Sequence, residues 1–397
     1  MNPSPPAAAV PNAFACLLPI VAMVFSAMLC VGLPLPVLPV HLHETLGFGP
    51  FVVGLVIGLQ SLAAVVTRPH AGALVDRRGP PLAVLTGAPL LALAGGAYLL
   101  STLPDAAGAQ LALLLAGRLL LGLGESLFLT GTMSWGIARL GAARTGMVMA
   151  WQGIAMFSAL GLGAPAGLWL LERFGFAAVG WATLLLPLLA MALAALLPAP
   201  PARPRHDGPR VPMRRVLGLI ARPGGALALA SMPFAMLSGF ITLHYAAEGW
   251  AGAGLALTAF AAGFILVRLF LAHLPDRLGG RSVGAVCCLV VMLGQGLLWL
   301  ATAPWMALAG AAVTGLGSSL MFPAMGVEAI RRVPPESRGV AVGGFMASFD
   351  VSVGLTGPLA GLLIAASGYR AMFLAGVLVS LAALALILWR PRDEVPA

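Results

Sequence analysis

The sequence predicts an all-α membrane protein, with twelve transmembrane helices arranged as two six-helix bundles. Three observations predict it. The 397 residues are 60% hydrophobic and only 9% charged, where soluble domains run near a quarter charged, and the mean hydropathy is +0.99. Apolar runs close to the roughly 20 residues needed to cross a bilayer recur along the whole length. Motifs of the first half also return in the second at constant offsets, which marks two related units.

The runs place spans at about 13–40, 50–71, 81–101, 109–138, 145–171, 177–198, 224–247, 254–274, 282–303, 305–330, 339–366 and 371–389. They must be helices, because lipid cannot satisfy the free backbone groups of an open strand. Residues 1–197 form one bundle and 224–397 the other, joined by a linker over 198–223. Pro198-Ala-Pro-Pro-Ala-Arg203-Pro-Arg205 is proline-rich and charged, as a solvated tether is. Its continuation from Val211 to Arg222 reads as a basic amphipathic helix on the inner leaflet.

The repeat is explicit in named residues. Gly122-Leu-Gly124-Glu125-Ser126-Leu127 returns as Gly315-Leu-Gly317-Ser318-Ser319-Leu320, and at the same offset Arg139 matches Arg332. Gly161-Leu-Gly163-Ala-Pro165-Ala-Gly167 in the fifth span is echoed by Gly354-Leu-Thr-Gly357-Pro358-Leu-Ala-Gly361 in the eleventh. Small residues let helices approach closely, and an in-helix proline frees a carbonyl and permits a bend. These six glycines and prolines (Gly163, Pro165, Gly167, Gly357, Pro358, Gly361) are therefore read as packing and hinge positions. Parallel repeats imply bundles related by an axis along the membrane normal, with substrate between them near the midplane.

Orientation follows from arginine, the only strongly basic residue, since there is no lysine. With a cytoplasmic N-terminus, the inner loops and tail carry 17 arginines and the outer loops only Arg173 and Arg370. Positive charge stays inside, so both termini are expected in the cytoplasm. A reporter fused after Pro204 should be cytoplasmic and one inserted at Asp105 periplasmic. The opposite pattern of reporter activity would reverse every inside and outside assignment.

Net charge +9 could indicate nucleic-acid binding only as a patch on a soluble domain, so no nucleic acid is expected. Cys16, Cys30, Cys287 and Cys288 all lie inside apolar runs, and no metal, cofactor or disulfide is read from them. The six histidines, at 41, 43, 70, 206, 244 and 273, are scattered without ligand spacing. The first span is too long for a signal-peptide core and is expected to stay as a helix. A monomer in the lipid bilayer is the expected state.

The densest charge between apolar runs is Arg68-Pro-His-Ala-Gly72-Ala-Leu74-Val-Asp76-Arg77-Arg78-Gly79-Pro80-Pro81, and Arg268, Leu274, Asp276, Arg277 and Gly279 repeat it at one offset. Gly72-x-Leu74-x-Asp76-Arg77-x-Gly79 resembles the loop signature between the second and third helices of the major facilitator superfamily of secondary transporters. Pro80-Pro81 stand where that signature usually carries two basic residues. The resemblance covers nearly the whole chain and implies that Gly72, Asp76, Arg77 and Gly79 form a conformational latch. In it, Asp76 faces the inner end of the eleventh helix, where free N–H groups favour an anion.

Arg118-x-x-x-Gly122-x-Gly124 resembles a fourth-helix motif of the superfamily linked to proton coupling in antiporters. Arg118 and Glu125, seven residues apart, share a helical face. A charge at the bilayer centre costs about 2.5–3.5 kcal/mol even on the lenient insertion scale, so both need a wet cavity or a partner. Arg118's structural alternative is a hydrogen bond to carbonyls of the first helix. Asp350, near the centre of the eleventh span, is a further proton-coupling candidate; its alternative is a permanent pair with Arg268. Gln60, Trp151, Gln152 and Arg268 are candidates for the substrate cavity, on helices that neighbour it in the resembled fold.

Gly163-Ala-Pro165-x-Gly167 and Pro36-Val-Leu-Pro39 resemble motifs of the efflux branch, the arabinose-efflux-like and multidrug permeases. The resemblance therefore implies proton-coupled export of a small molecule by rocking of two bundles. A proton-coupled importer of a small polar solute stays open as the alternative. A membrane enzyme would need a convergent catalytic set, and no catalytic residue is read here. A sensor or scaffold would need a soluble domain longer than this linker.

Overall fold

The computed structural model describes residues 13–141, 144–198, 213–333 and 338–389. Among them the elements are helical throughout: α1 (Ala13–Gly32), α2 (Pro34–Val40), a π-helical turn (His41–Thr45), α3 (Pro50–Arg78), α4 (Pro80–Leu100), α5 (Ala107–Leu140), α6 (Thr145–Phe174) and α7 (Phe176–Leu196). The second half contains α8 (Met213–Ala247), α9 (Ala253–Leu271), α10 (Leu274–Leu278), α11 (Gly280–Trp299), α12 (Pro304–Ser318), α13 (Met321–Arg331) and α14 (Arg338–Leu388). Among the described residues, eleven stretches are long and apolar enough to cross a membrane. One of them, α14, is two spans joined at Gly368, whose φ of 78° breaks the helix, which gives the twelve crossings.

Two spans are broken in the middle. The first passes from α1 to α2 at Leu33, where Pro34 and Pro36 withdraw donors. The tenth passes from α12 to α13 at Ser319–Leu320. Pro323 has no N–H to return to the Ser319 carbonyl four residues back, and that free acceptor becomes part of the site below.

One expectation from sequence is corrected at the start of the second half. The basic stretch ending at Arg222 was expected on the membrane surface, but from Met213 it is the continuous beginning of α8. Val216 and Ile220 are buried, and Arg222 donates to the terminal carbonyls Leu386 (3.1 Å) and Ile387 (3.4 Å) of α14. The rest of the linker, including Arg203 and Arg205, and the tail arginines Arg390 and Arg392 lie outside the described residues.

The halves meet along two glycine seams. A side chain on Gly54 or Gly58 of α3 would strike the carbonyls of Gly357 or Gly354 of α14, and one on Gly361 the carbonyl of Pro50. In the other seam, Pro165 of α6 frees the Gly161 carbonyl, and the Thr258 hydroxyl of α9 donates to it at 2.6 Å. A Cβ on Gly254 would lie 2.8 Å from Pro165. Within the first bundle, Gly163 and Gly167 seat α6 against the break at Gly32–Leu33. Outward-facing Val66, Leu93, Trp181, Leu289 and Leu359 leave an apolar surface of the kind lipid covers.

Both seams sit at the end of the spans away from Arg77, Arg78, Arg277 and Arg281. Toward the arginine-rich end lies a cavity of about 250 Å³, lined by Met149 and Ala150 of α6, Arg268 of α9, and Phe322 and Phe345 of α13 and α14. The two seams and this cavity thus lie toward opposite ends of the spans.

Candidate functional site

The buried charges gather where the halves meet. On α5, Arg118 and Glu125 present one face to α3. Arg118 is 1% exposed and donates through Nε to the Val56 carbonyl (3.1 Å) and through Nη2 to the Ile57 carbonyl (3.0 Å). The carbonyls thus belong to the second span; the expectation that they come from the first is corrected. One turn along α3, the Gln60 amide donates to Glu125 Oε2 at 2.5 Å. Gly122 lies between these two contacts, and a side chain there would strike the Gln60 carbonyl. This close approach explains the glycine in Arg118-x-x-x-Gly122.

Asp350 is buried at 5% exposure. Its partner is Arg68 of α3, not Arg268: the guanidinium forks onto the carboxylate, with Nε on Oδ2 and Nη2 on Oδ1 at 3.1 Å. Arg68 Nη1 also points to the Met346 sulfur at 3.7 Å. This ion pair joins the two halves, α3 to α14, and Glu125 lies within electrostatic reach of both its members and of Arg118. Arg68 was not among the residues singled out for the site. Its place four residues before Gly72, inside the apolar part of the second span, was the available signal.

Arg268 lines the cavity. It donates to the Ser319 carbonyl at 2.8 Å, the acceptor freed by Pro323, and its guanidinium lies 5.1 Å from the centre of the Phe264 ring. Phe264 stacks on Phe157 of α6 at 3.7 Å. The other cavity candidates do not line it. Gln60 is held by Glu125, and Gln152 donates to the Leu129 carbonyl inside the first bundle at 3.2 Å. Trp151 is partly buried beside Ala150.

The loop signature folds as a helix end. Gly79 closes α3 with φ 88°, and Gly279 in the repeat has φ 83°, a region that only glycine enters freely. Asp76 and Arg77 are exposed, Gly72 has open space around it, and Asp76 makes no ion pair among the described residues.

The sequence profile of the Major Facilitator Superfamily matches residues 20–251 and 224–397. The chain belongs to the major facilitator superfamily. It is 44% identical over 389 residues to an MFS-type transporter of Pseudomonas aeruginosa strain UCBPP-PA14, covering 97% of this chain and 96% of that one. It is 40% identical over 379 residues to the MFS-type transporter YhhS of Escherichia coli K12, covering 95% and 92%. Among solved structures the fold is similar to the nucleoside transporter NupG, with TM-score 0.73 at 15% identity over 94% of this chain and 99% of that one. It is also similar to the human organic anion transporter MFSD10, with TM-score 0.71 at 15% identity over 95% and 100%. This major facilitator is accordingly a multi-pass membrane transporter of small molecules.

Proposed function

We propose that this major facilitator is a proton-coupled exporter, exchanging a small molecule for protons across the bacterial inner membrane by alternating access. The observation that carries the reading is the Arg68–Asp350 ion pair, which bridges the two halves with Glu125 close by. An ionisable group inside the membrane is costly unless paired. A proton on Asp350 removes its half of that pairing, so protonation and the relative position of the halves bias one another. Seams closed at one end and a cavity at the other fit one extreme of a rocking cycle. With the arginine-rich end in the cytoplasm, that extreme is inward-facing.

The latch fits the same cycle. Asp76 is exposed in this conformation, so its docking on the eleventh span belongs to the other extreme, in which the arginine-rich end closes. Asp76→Asn should therefore slow exchange in proteoliposomes about tenfold, with expression and thermal stability near wild type. Unchanged exchange would remove the latch. Direction is tested in everted vesicles: export predicts uptake into the vesicle lumen when the lumen is made acidic, whereas a symporter would be driven by the opposite gradient.

A further inference from the structure

The internal repeat makes Arg268 the counterpart of Arg68, just as Leu274, Asp276, Arg277 and Gly279 are the counterparts of Leu74, Asp76, Arg77 and Gly79. The helices these two arginines face are also counterparts. Arg68 faces the first part of α14 and Arg268 faces α6, and Gly354 and Pro358 of the one correspond to Gly161 and Pro165 of the other.

In one half the arginine meets an acid, Asp350. In the other, the offset that pairs Pro358 with Pro165 carries Asp350 onto Phe157, and one turn before it on the same face of α6 stands Gly153. A Cβ built on Gly153 would lie 3.7 Å from the Arg268 guanidinium carbon. Where Arg68 finds a carboxylate, its twin finds a glycine and an aromatic ring.

The guanidinium is left under-used. One bond goes to the Ser319 carbonyl, Nε is buried without a partner, and no carboxylate among the described residues pairs with it. Asp276, which also borders the cavity, is exposed and forms no ion pair with it. Arg118 is sealed between helices and Arg68 is paired, and among the described residues that line this cavity Arg268 is the one arginine.

We propose that Arg268 receives the anionic group of the transported molecule, which is therefore a small amphiphilic organic anion. The proposal rests on the transport reading above and names its substrate class. A guanidinium fork matches a carboxylate or another oxyanion bidentately, and a membrane-embedded cation without a counter-charge gains most from one. Apart from Asp276, the rest of the lining (Met149, Leu320, Phe322 and Phe345 among it) is apolar and aromatic and suits a hydrophobic body. The volume of about 250 Å³ lies just below the usual range for ligand cavities, about 300–1,000 Å³, so the body is small. The ligand's charge completes the ion pair that the repeat leaves without its acid.

The test uses the full chain in lipid nanodiscs and three probes with one apolar body: phenylpropanoate, phenylpropanol and phenylpropylamine. Binding is read by titrated thermal stabilisation. The carboxylate should bind at least about tenfold more tightly than the alcohol, about 1.4 kcal/mol, and the amine more weakly still. Arg268→Gln, which keeps a polar amide but no charge, should lose the preference, and Arg268→Lys should keep part of it. Gly153→Asp supplies the missing acid and should abolish carboxylate binding while the protein stays folded.

Equal binding of carboxylate and alcohol overturns the proposal, as does a carboxylate preference that survives in Arg268→Gln or Gly153→Asp. So does the absence of binding by phenylpropanoate and by its sulfonate and phosphonate analogues. Flux of the same probes in proteoliposomes separates this proposal from the transport reading. A carboxylate that binds through Arg268 but is never moved leaves the site standing and removes transport. Amine or alcohol flux that the carboxylate does not inhibit removes the anion site and leaves transport standing.

Discussion

Asp350→Asn is expected to abolish accumulation driven by a pH gradient while substrate binding and gradient-free exchange persist. The fork from Arg68 is buried on the carboxylate side, with 7% of that side chain exposed. Removing one member of such a pair leaves the other charge uncompensated, at a cost of roughly 3–5 kcal/mol. A lower melting temperature in Asp350→Asn alone therefore says nothing about coupling. The informative variant is the double neutral Arg68→Gln with Asp350→Asn, which removes both charges and should recover most of the lost stability. If the pair only holds α3 against α14, the double variant recovers proton-driven accumulation as well. If Asp350 carries the proton, stability returns and accumulation does not. The charge swap Arg68→Asp with Asp350→Arg adds a second reading: it restores the cross-half pair with the acid moved to α3, and a partial return of proton-driven flux would place the coupling in the pair.

Much of this was legible in the sequence, for identifiable reasons. Span number and the two-bundle plan follow from hydropathy and the repeat, because the bilayer leaves a chain of this composition few other ways to satisfy its backbone. Gly163, Gly167, Gly357 and Gly361 were legible as packing positions because close helix approach has one chemical requirement, and a Cβ on each would meet backbone of a neighbouring helix; Gly122 was read only as part of a motif, and its close approach to Gln60 was not legible. Partners across the helices were not legible. Period places Asp350 and Arg268 inside their spans, but which helix each meets depends on how the halves are rotated, and the sequence carries no direct record of that rotation. Arg68 is the case in point. Its position beside an obvious loop motif made it look like part of the loop, while the fold draws it inward to Asp350. Proline shows the same limit: Pro165 was legible as freeing a carbonyl but its partner was not, and Pro323 was not singled out; the two acceptors are met across helices by Thr258 and Arg268.

The second large effect is expected from Glu125→Gln, contrasted with Arg118→Met on the same face of α5. The two residues are neighbours in space but differ in what holds them. Arg118 is sealed, and it satisfies two carbonyls of α3. Hydrogen bonds to a charged group contribute about 1.5–3 kcal/mol each, and methionine replaces neither, so Arg118→Met should lose most of its folded yield. Glu125 is only partly buried and holds one amide, that of Gln60. Glutamine there keeps an oxygen to accept that bond and keeps the side-chain length, so Glu125→Gln should melt within a few degrees of wild type. What it cannot do is exchange a proton. Proton-driven accumulation should fall at least about tenfold, which corresponds to about 1.4 kcal/mol of lost coupling, and the pH dependence of flux should flatten. Wild-type accumulation in Glu125→Gln would leave Asp350 as the remaining candidate for the proton site. Wild-type accumulation in both Glu125→Gln and Asp350→Asn would mean that no buried carboxyl couples the cycle, and the transporter would have to run as a uniporter or on another ion.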